Sequence, residues 1–122
     1  MIGIDTVRIS RIKSAIENAA FVSRVFTEAE QRYCNGKPNK AQSYAGIFCV
    51  KEAAVKALGI GFGSGVMPAD IEVVHDANGA PKLNYYGGAV ELFSPYVGSV
   101  SISHDGDCAV AAVELLRKGE RQ

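Results

Sequence analysis

The segment from Tyr44 to Gly59 constrains this chain more than any other. Its apolar residues Tyr44, Ala45, Ile47, Phe48, Cys49, Val50, Ala53, Ala54, Val55 and Leu58 cover nearly the whole circumference of a helix. A helix that is apolar on all sides is buried, so the rest of the fold has to wrap around it. Gly59 supplies the stop, because a residue without Cβ adopts the left-handed conformation that closes a helix. Lys51, Glu52 and Lys56 nevertheless sit inside this stretch, and Glu52 and Lys56 are one turn apart on a shared face. Charges on a buried helix are costly unless they meet a partner, a metal or a charged ligand. One reading is a snorkelling lysine beside a solvent-facing Glu–Lys pair. The other is a functional site.

The flanking sequence predicts an α+β domain. Residues 2–4 read as a short buried strand that delivers Asp5 at or near its end, and a helix over about residues 10–22 follows, with Ile12, Ile16 and Ala19 inward. Thr27-Glu28-Ala29-Glu30 is a capping box, in which Thr27 caps the next helix and Glu30 reaches back to the Thr27 amide. Asn35-Gly36-Lys37-Pro38-Asn39 is a loop by its turn chemistry, and the central helix runs over about residues 40–58. The glycine-rich run from Gly59 to Gly65 has neither Gly-Lys-Ser/Thr at nucleotide-loop spacing nor a spaced GxGxxG, so it reads as a turned loop.

The second half is β-rich. Residues 70–75 and 82–86 flank Asp76-Ala77-Asn78-Gly79, a hairpin signal. A short helix over 88–93 precedes an alternating strand over 97–104, with Ser99, Ser101 and Ser103 on one face. A strand of small apolar residues over 108–116 and a polar, frayed tail complete the chain. Helices first and hairpins after predict an antiparallel sheet packed on one long helix.

At 122 residues the chain reads as a single domain over 1–122, large enough for a real core. No apolar run reaches membrane-spanning length, so no membrane partner is expected. The N-terminus, Met1-Ile2-Gly3-Ile4-Asp5, lacks the basic-then-apolar pattern of a signal peptide, and a cytoplasmic location is expected. Cys34, Cys49 and Cys108 show no metal-type spacing and read as free thiols. A formal net charge of zero offers no global attraction to nucleic acid. Locally, Arg8, Arg11, Lys13 and Arg24 outweigh Asp5 and Glu17, which makes either a patch for an acidic partner or a solvated helix face.

Two carboxylates stand in unusual places: Asp5 beside the first strand and Glu52 on the apolar helix. If they converge they make a hard-oxygen site of the kind Mg2+ takes, with waters and substrate phosphate oxygens completing the shell. Lys51 and Lys56 flank Glu52 and are candidates for binding those phosphates. His104, at a strand end, is a candidate polar contact, whereas His75 reads as a surface residue beside a turn. Cys49 lies near Glu52 and Lys56, but no base for a catalytic thiol can be placed. The residues by themselves stop at an Mg2+-assisted enzyme acting on a phosphate ligand.

The motifs taken together resemble a known family. Gly3-Ile4-Asp5, Arg11-Ile12, Phe26-Thr27-Glu28-Ala29-Glu30, Ala45-Gly46, Phe48 with Lys51-Glu52-Ala53, Lys56-Ala57-Leu58-Gly59, Ile71-Glu72-Val73, Asn78-Gly79-Ala80-Pro81 and Ser101-Ile102-Ser103-His104-Asp105 occur in order along essentially the whole chain. This pattern resembles the holo-[acyl-carrier-protein] synthases, the short type of 4′-phosphopantetheinyl transferase. The resemblance implies transfer of the 4′-phosphopantetheine arm of coenzyme A to a serine of apo acyl carrier protein, releasing adenosine 3′,5′-bisphosphate, in fatty acid biosynthesis. It implies Asp5 and Glu52 as Mg2+ ligands, Lys56 and Lys51 as phosphate-binding lysines, and His104 as a coenzyme A contact. Asp5, Glu52 and Lys56 are then the catalytic set, with Lys56 handling leaving-group charge or the serine proton, and with Glu52, through a metal-bound water, as the alternative base. Arg11, with Arg8, Lys13 and Arg24 around it, becomes the docking surface for acyl carrier protein. A homotrimer with active sites shared between subunits is also implied.

One departure bears on the site. Many relatives carry an arginine between the residues matching Gly46 and Phe48; here Ile47 stands there, and the phosphate contact is expected either to be lost or to be supplied elsewhere, by Lys40 or Lys37. The rival readings are a non-catalytic coenzyme A or carrier-protein binding module of the same fold, a transferase serving another carrier domain, and a structural oligomer whose helix charges are interface ion pairs.

Overall fold

The computed structural model describes residues 1–63 and 65–119. Its elements in chain order are β1 (Ile2–Arg8), α1 (Ile9–Ala15), α2 (Ala19–Val25), α3 (Glu28–Asn35), α4 (Lys40–Ala57), a single 3-10 turn (Pro68–Asp70), β2 (Ile71–His75), β3 (Pro81–Tyr85), α5 (Ala89–Phe93), β4 (Tyr96–Asp105) and β5 (Cys108–Arg117).

Helix α4 is the axis of the molecule. The Gln42 amide donates to the Asn39 side chain at 3.2 Å and so starts it, and Gly59 beyond its end adopts a φ of 73°. Tyr44, Ala45, Ile47, Cys49, Val50, Ala53, Ala54 and Val55 are each at most 2 % exposed. The larger of these side chains contribute about 1.5–3 kcal/mol apiece on burial.

A three-stranded antiparallel sheet, in the order β1-β5-β4, lies against α4, and β2 and β3 form a separate antiparallel hairpin. The expected antiparallel sheet on one long helix is therefore observed. Small residues let sheet and helix approach closely. Ala109 and Ala111 of β5 are buried, and a Cβ at Gly3 would lie 1.9 Å from the Ala53 carbonyl oxygen. In the sheet register Asp5 stands opposite Ala111, and Ile102 flanks Ala111 from the other side.

The structure corrects the sequence reading in two places. The first strand does not bury its isoleucines. Ile2 and Ile4 are 64 % and 57 % exposed, while Gly3 and Val7 face the helix and the strand continues to Arg8. The predicted helix over 10–22 is two helices. The Asn18 side chain accepts from the amides of Ala20 at 2.9 Å and Phe21 at 3.1 Å, capping α2 and ending any continuation from α1. Arg24 consequently lies on a different helix from Arg11. The tail read as frayed after Leu116 adds only Arg117 to β5, and its residues 120–122 lie outside the described part. Among the described residues no helix is long and apolar enough to cross a membrane.

Candidate active site

Asp5, Glu52 and Lys56 come together where β1 crosses the C-terminal half of α4. The Lys56 ammonium donates to Asp5 Oδ1 at 2.9 Å and to the Ile4 carbonyl oxygen at 3.3 Å. This ion pair is open, with the Lys56 side chain 51 % exposed and that of Asp5 15 %. The bond to Asp5 raises the Lys56 pKa, so the amine stays charged. Glu52 is half-buried. Burial, and then the nearby Asp5 carboxylate, raise its pKa against the opposing pull of Lys56 and Arg11. Arg11 thus adds its charge to the same cluster.

Two like-charged carboxylates close enough to act on one another, one of them short of solvation, suit a hard cation. No third His, Cys, Asp or Glu joins them into a closed ligand set among the described residues. Water and phosphate oxygens would fill the remaining positions, which is the pattern of Mg2+ rather than of a structural zinc.

Lys51 is placed elsewhere, and the expectation that it meets a phosphate is corrected by its surroundings. It is 1 % exposed and pairs with Glu30 Oε1 at 2.8 Å, a carboxylate that is fully enclosed. Its remaining protons go to the carbonyl oxygens of Pro68, at 2.9 Å, and Ile71. Burial holds its pKa below the ordinary lysine value, against the opposing pull of Glu30. Glu30 also accepts from the amides of Thr27 at 2.9 Å and Val73 at 2.7 Å. The capping box was legible in the sequence; its ionic partner twenty-one residues along was not.

His104 stands apart from the Asp5 cluster. It is the penultimate residue of β4, Asp5 lies on β1, and β5 runs between them. Gln42 Nε2 donates to His104 Nε2 at 3.1 Å. Both line a cleft of about 270 Å³ whose walls include Tyr33, Ile47, His75 and Ile102 but none of the Asp5 cluster. His75 is not the simple surface residue its sequence position suggests. It stacks on Tyr33 with ring centroids 3.9 Å apart, and its Nδ1 is buried without a partner. Lys37 Nζ sits 4.6 Å from the centroid of the Tyr33 ring, which lines this cleft, whereas Lys40 lines other surfaces.

Arg8, Arg11, Lys13 and Arg24 are all exposed. Arg8 and Arg11 border one cleft with Asp107 and Cys108, Lys13 borders the next, and Arg24 lies 6.0 Å over the Phe21 ring on α2. The position of α1 depends on a contact that no local motif announced. Asp107, in the β4–β5 turn, accepts from the Ser10 amide at 2.8 Å and the Ser10 hydroxyl at 2.6 Å. The thiols are free. Cys49 donates to the Ala109 carbonyl at 3.6 Å, and burial, helped by Asp5, pushes its pKa up to about 12, so it is not a nucleophile.

Comparison with known proteins gives one consistent result. The model of the 4′-phosphopantetheinyl transferase superfamily matches residues 1–112. A holo-[acyl-carrier-protein] synthase of Geobacter metallireducens is 47 % identical over 120 residues, covering 94 % of this chain and 95 % of that protein. The crystal structure of the Helicobacter pylori holo-[acyl-carrier-protein] synthase with coenzyme A superposes with a TM-score of 0.85 at 34 % identity, covering 95 % of this chain and all of that one. A Bacillus anthracis holo-(acyl-carrier-protein) synthase structure in complex with CoA (3′,5′-ADP) gives 0.79 at 35 % identity, covering 93 % of each chain.

Proposed function

The chain belongs to the 4′-phosphopantetheinyl transferase superfamily, and from that premise we propose that it moves the 4′-phosphopantetheine group of coenzyme A onto a serine of apo acyl carrier protein at the Asp5–Glu52–Lys56 cluster. The observation that carries the placement is the meeting of an open lysine and two carboxylates at the crossing of β1 and α4.

The serine oxygen forms a bond to the phosphorus that carries pantetheine, the bridging P–O bond breaks, and adenosine 3′,5′-bisphosphate leaves with the electron pair. Such a displacement depends on alignment and on stabilising charge at the phosphoryl oxygens. Lys56, held charged by Asp5, supplies a fixed cation for the leaving phosphate. A water beside the Glu52 carboxylate takes the serine proton. Asp5 and Glu52 are the residues that would hold Mg2+, which supplies charge neutralisation across the diphosphate. His104 and its cleft receive another part of coenzyme A, with Lys37 the nearer of the two lysines able to replace the arginine absent at Ile47.

A homotrimer with shared sites accounts for two features. His104 and Asp5 lie on opposite edges of one sheet, so a ligand reaching both types of residue is most simply held between neighbouring subunits. The outer face of that sheet carries exposed Ile2, Ile4 and Val97 among small residues such as Ala112 and Ser101, a surface fit for a copy of the chain. The exposed arginines around Arg11 fit the acidic carrier protein, and the location is cytoplasmic.

Intact-mass spectrometry of apo acyl carrier protein, incubated with this protein and coenzyme A in Mg2+ or in EDTA, tests the reading. The expected result is a gain of one phosphopantetheine mass with Mg2+ alone, lost in Glu52→Gln. Undiminished transfer by a folded Glu52→Gln protein overturns the placement.

A further inference from the structure

We propose that Lys51 is a positioning residue. Clamped by Glu30 and by the carbonyls of Pro68 and Ile71, it fixes the rotation of α4 about its own axis so that Glu52 and Lys56 face Asp5. The service to catalysis rests on the function proposed above; the clamp itself does not.

The first argument is saturation. An ammonium has three protons, and Lys51 has three partners: Glu30 Oε1 at 2.8 Å, Pro68 O at 2.9 Å and Ile71 O. With 1 % exposure it has neither a proton nor a path for a ligand.

The second argument concerns what α4 lacks. Hydrophobic burial is non-directional, and the buried apolar residues of α4 spread around most of its circumference, so burial alone leaves its rotation weakly specified. A buried ionic or polar contact is a recognised way to set register in such a helix, at a cost in stability. Glu52 follows Lys51 directly, so holding Lys51 toward α3 and β2 sets the direction in which Glu52 points.

The third argument is what the clamp ties together. Its partners lie on α3 and on both sides of the turn that follows the glycine-rich loop, and Glu30 Oε2 also takes the Val73 amide at 2.7 Å. One ammonium thus fastens α4 to the far end of that loop. A pair kept only for stability would be better replaced by packed apolar side chains.

The test is a double-mutant cycle of Lys51→Met and Glu30→Gln in the full-length protein. Transfer kinetics are measured with Mg2+, and thermal melting without substrates. Lys51→Met is expected to lower kcat by about tenfold to a hundredfold, the loss that follows misplacement of reacting groups, while KM for coenzyme A moves less than about threefold. Glu30→Gln, at a site no ligand can touch, is expected to do the same, and the double variant to be no worse than the poorer single. A rise in KM of about tenfold at constant kcat in Lys51→Met, multiplying with Glu30→Gln, overturns the proposal in favour of direct phosphate contact. If Lys51→Met does not fold, Glu30→Gln decides alone: unchanged kcat overturns the proposal and a lowered kcat at constant KM supports it. A wild-type protein that transfers nothing refutes the proposed function instead. The melting cycle then still decides the clamp, which non-additive losses support and additive losses overturn.

Discussion

Two ion pairs sit on one helix little more than a turn apart. Lys51–Glu30 and Lys56–Asp5 close at 2.8 Å and 2.9 Å, yet the first is 1 % and 0 % exposed and the second 51 % and 15 %. Distance does not separate them; surroundings do. The buried ammonium spends every proton inside the fold. The open one holds a single carboxylate and can exchange it for a phosphate. A lysine available to a ligand is one whose own fold leaves it incompletely bonded.

The comparison breaks if the open cluster proves structural. Glu52→Gln is expected to reduce transfer by about a thousandfold, measured by the mass shift of the carrier protein, without lowering Tm. A comparable fall in Tm would erase the distinction. The buried pair should answer the other way. Lys51→Met is expected to destabilise the fold by about 3–5 kcal/mol, because Glu30 keeps an uncompensated buried charge, as urea unfolding would show. Lys56→Met removes an exposed pair and should cost less than about 1 kcal/mol in the same unfolding assay, while transfer falls by about a hundredfold.

Smaller effects sharpen the contrast. Arg11→Glu should raise KM for acyl carrier protein by roughly tenfold, weaken its salt dependence and leave coenzyme A binding nearly unchanged in calorimetry. Beside the buried pair, Glu72 accepts from Thr27 at 2.6 Å and from Tyr86 at 3.1 Å. Burial acts to raise its pKa, but the bonds from Thr27, Tyr86 and Asn84 outweigh it and hold the carboxyl below its ordinary value. The folded state therefore binds that proton less readily than the unfolded chain. The stability Glu72 brings is full above the ordinary value of 4.5 and is lost as pH falls through the lower folded value. Glu72→Gln should flatten this acid limb in unfolding titrations.

What the sequence showed was local. The all-round apolar run gave α4, Asp76–Gly79 gave the hairpin turn, and Thr27 with Glu30 gave the capping box, each from neighbours along the chain. What it hid was non-local. Nothing near Lys51 announces Glu30, nothing near Ser10 announces Asp107, and the stacking of His75 on Tyr33 joins a strand end to a helix. The Ile2–Ile4 strand misled for another reason, since its isoleucines face out of the isolated chain while a glycine faces in. Asp5, Glu52 and Lys56 were singled out because charge in an apolar setting is rare enough to notice; Lys51 satisfied the same criterion and belonged elsewhere.

Gly3 carries a last consequence. A methyl group there would overlap the Ala53 carbonyl at 1.9 Å and the Ala57 amide nitrogen at 2.6 Å, both backbone atoms that no rotamer can move. Every substitution wedges the strand off the helix and draws Asp5 away from Lys56. A saturation screen scored on transfer would therefore rank position 3 with the reacting residues, although Gly3 has no side chain to offer a ligand. The width of the functional gap is set by a hydrogen atom two residues upstream of the carboxylate.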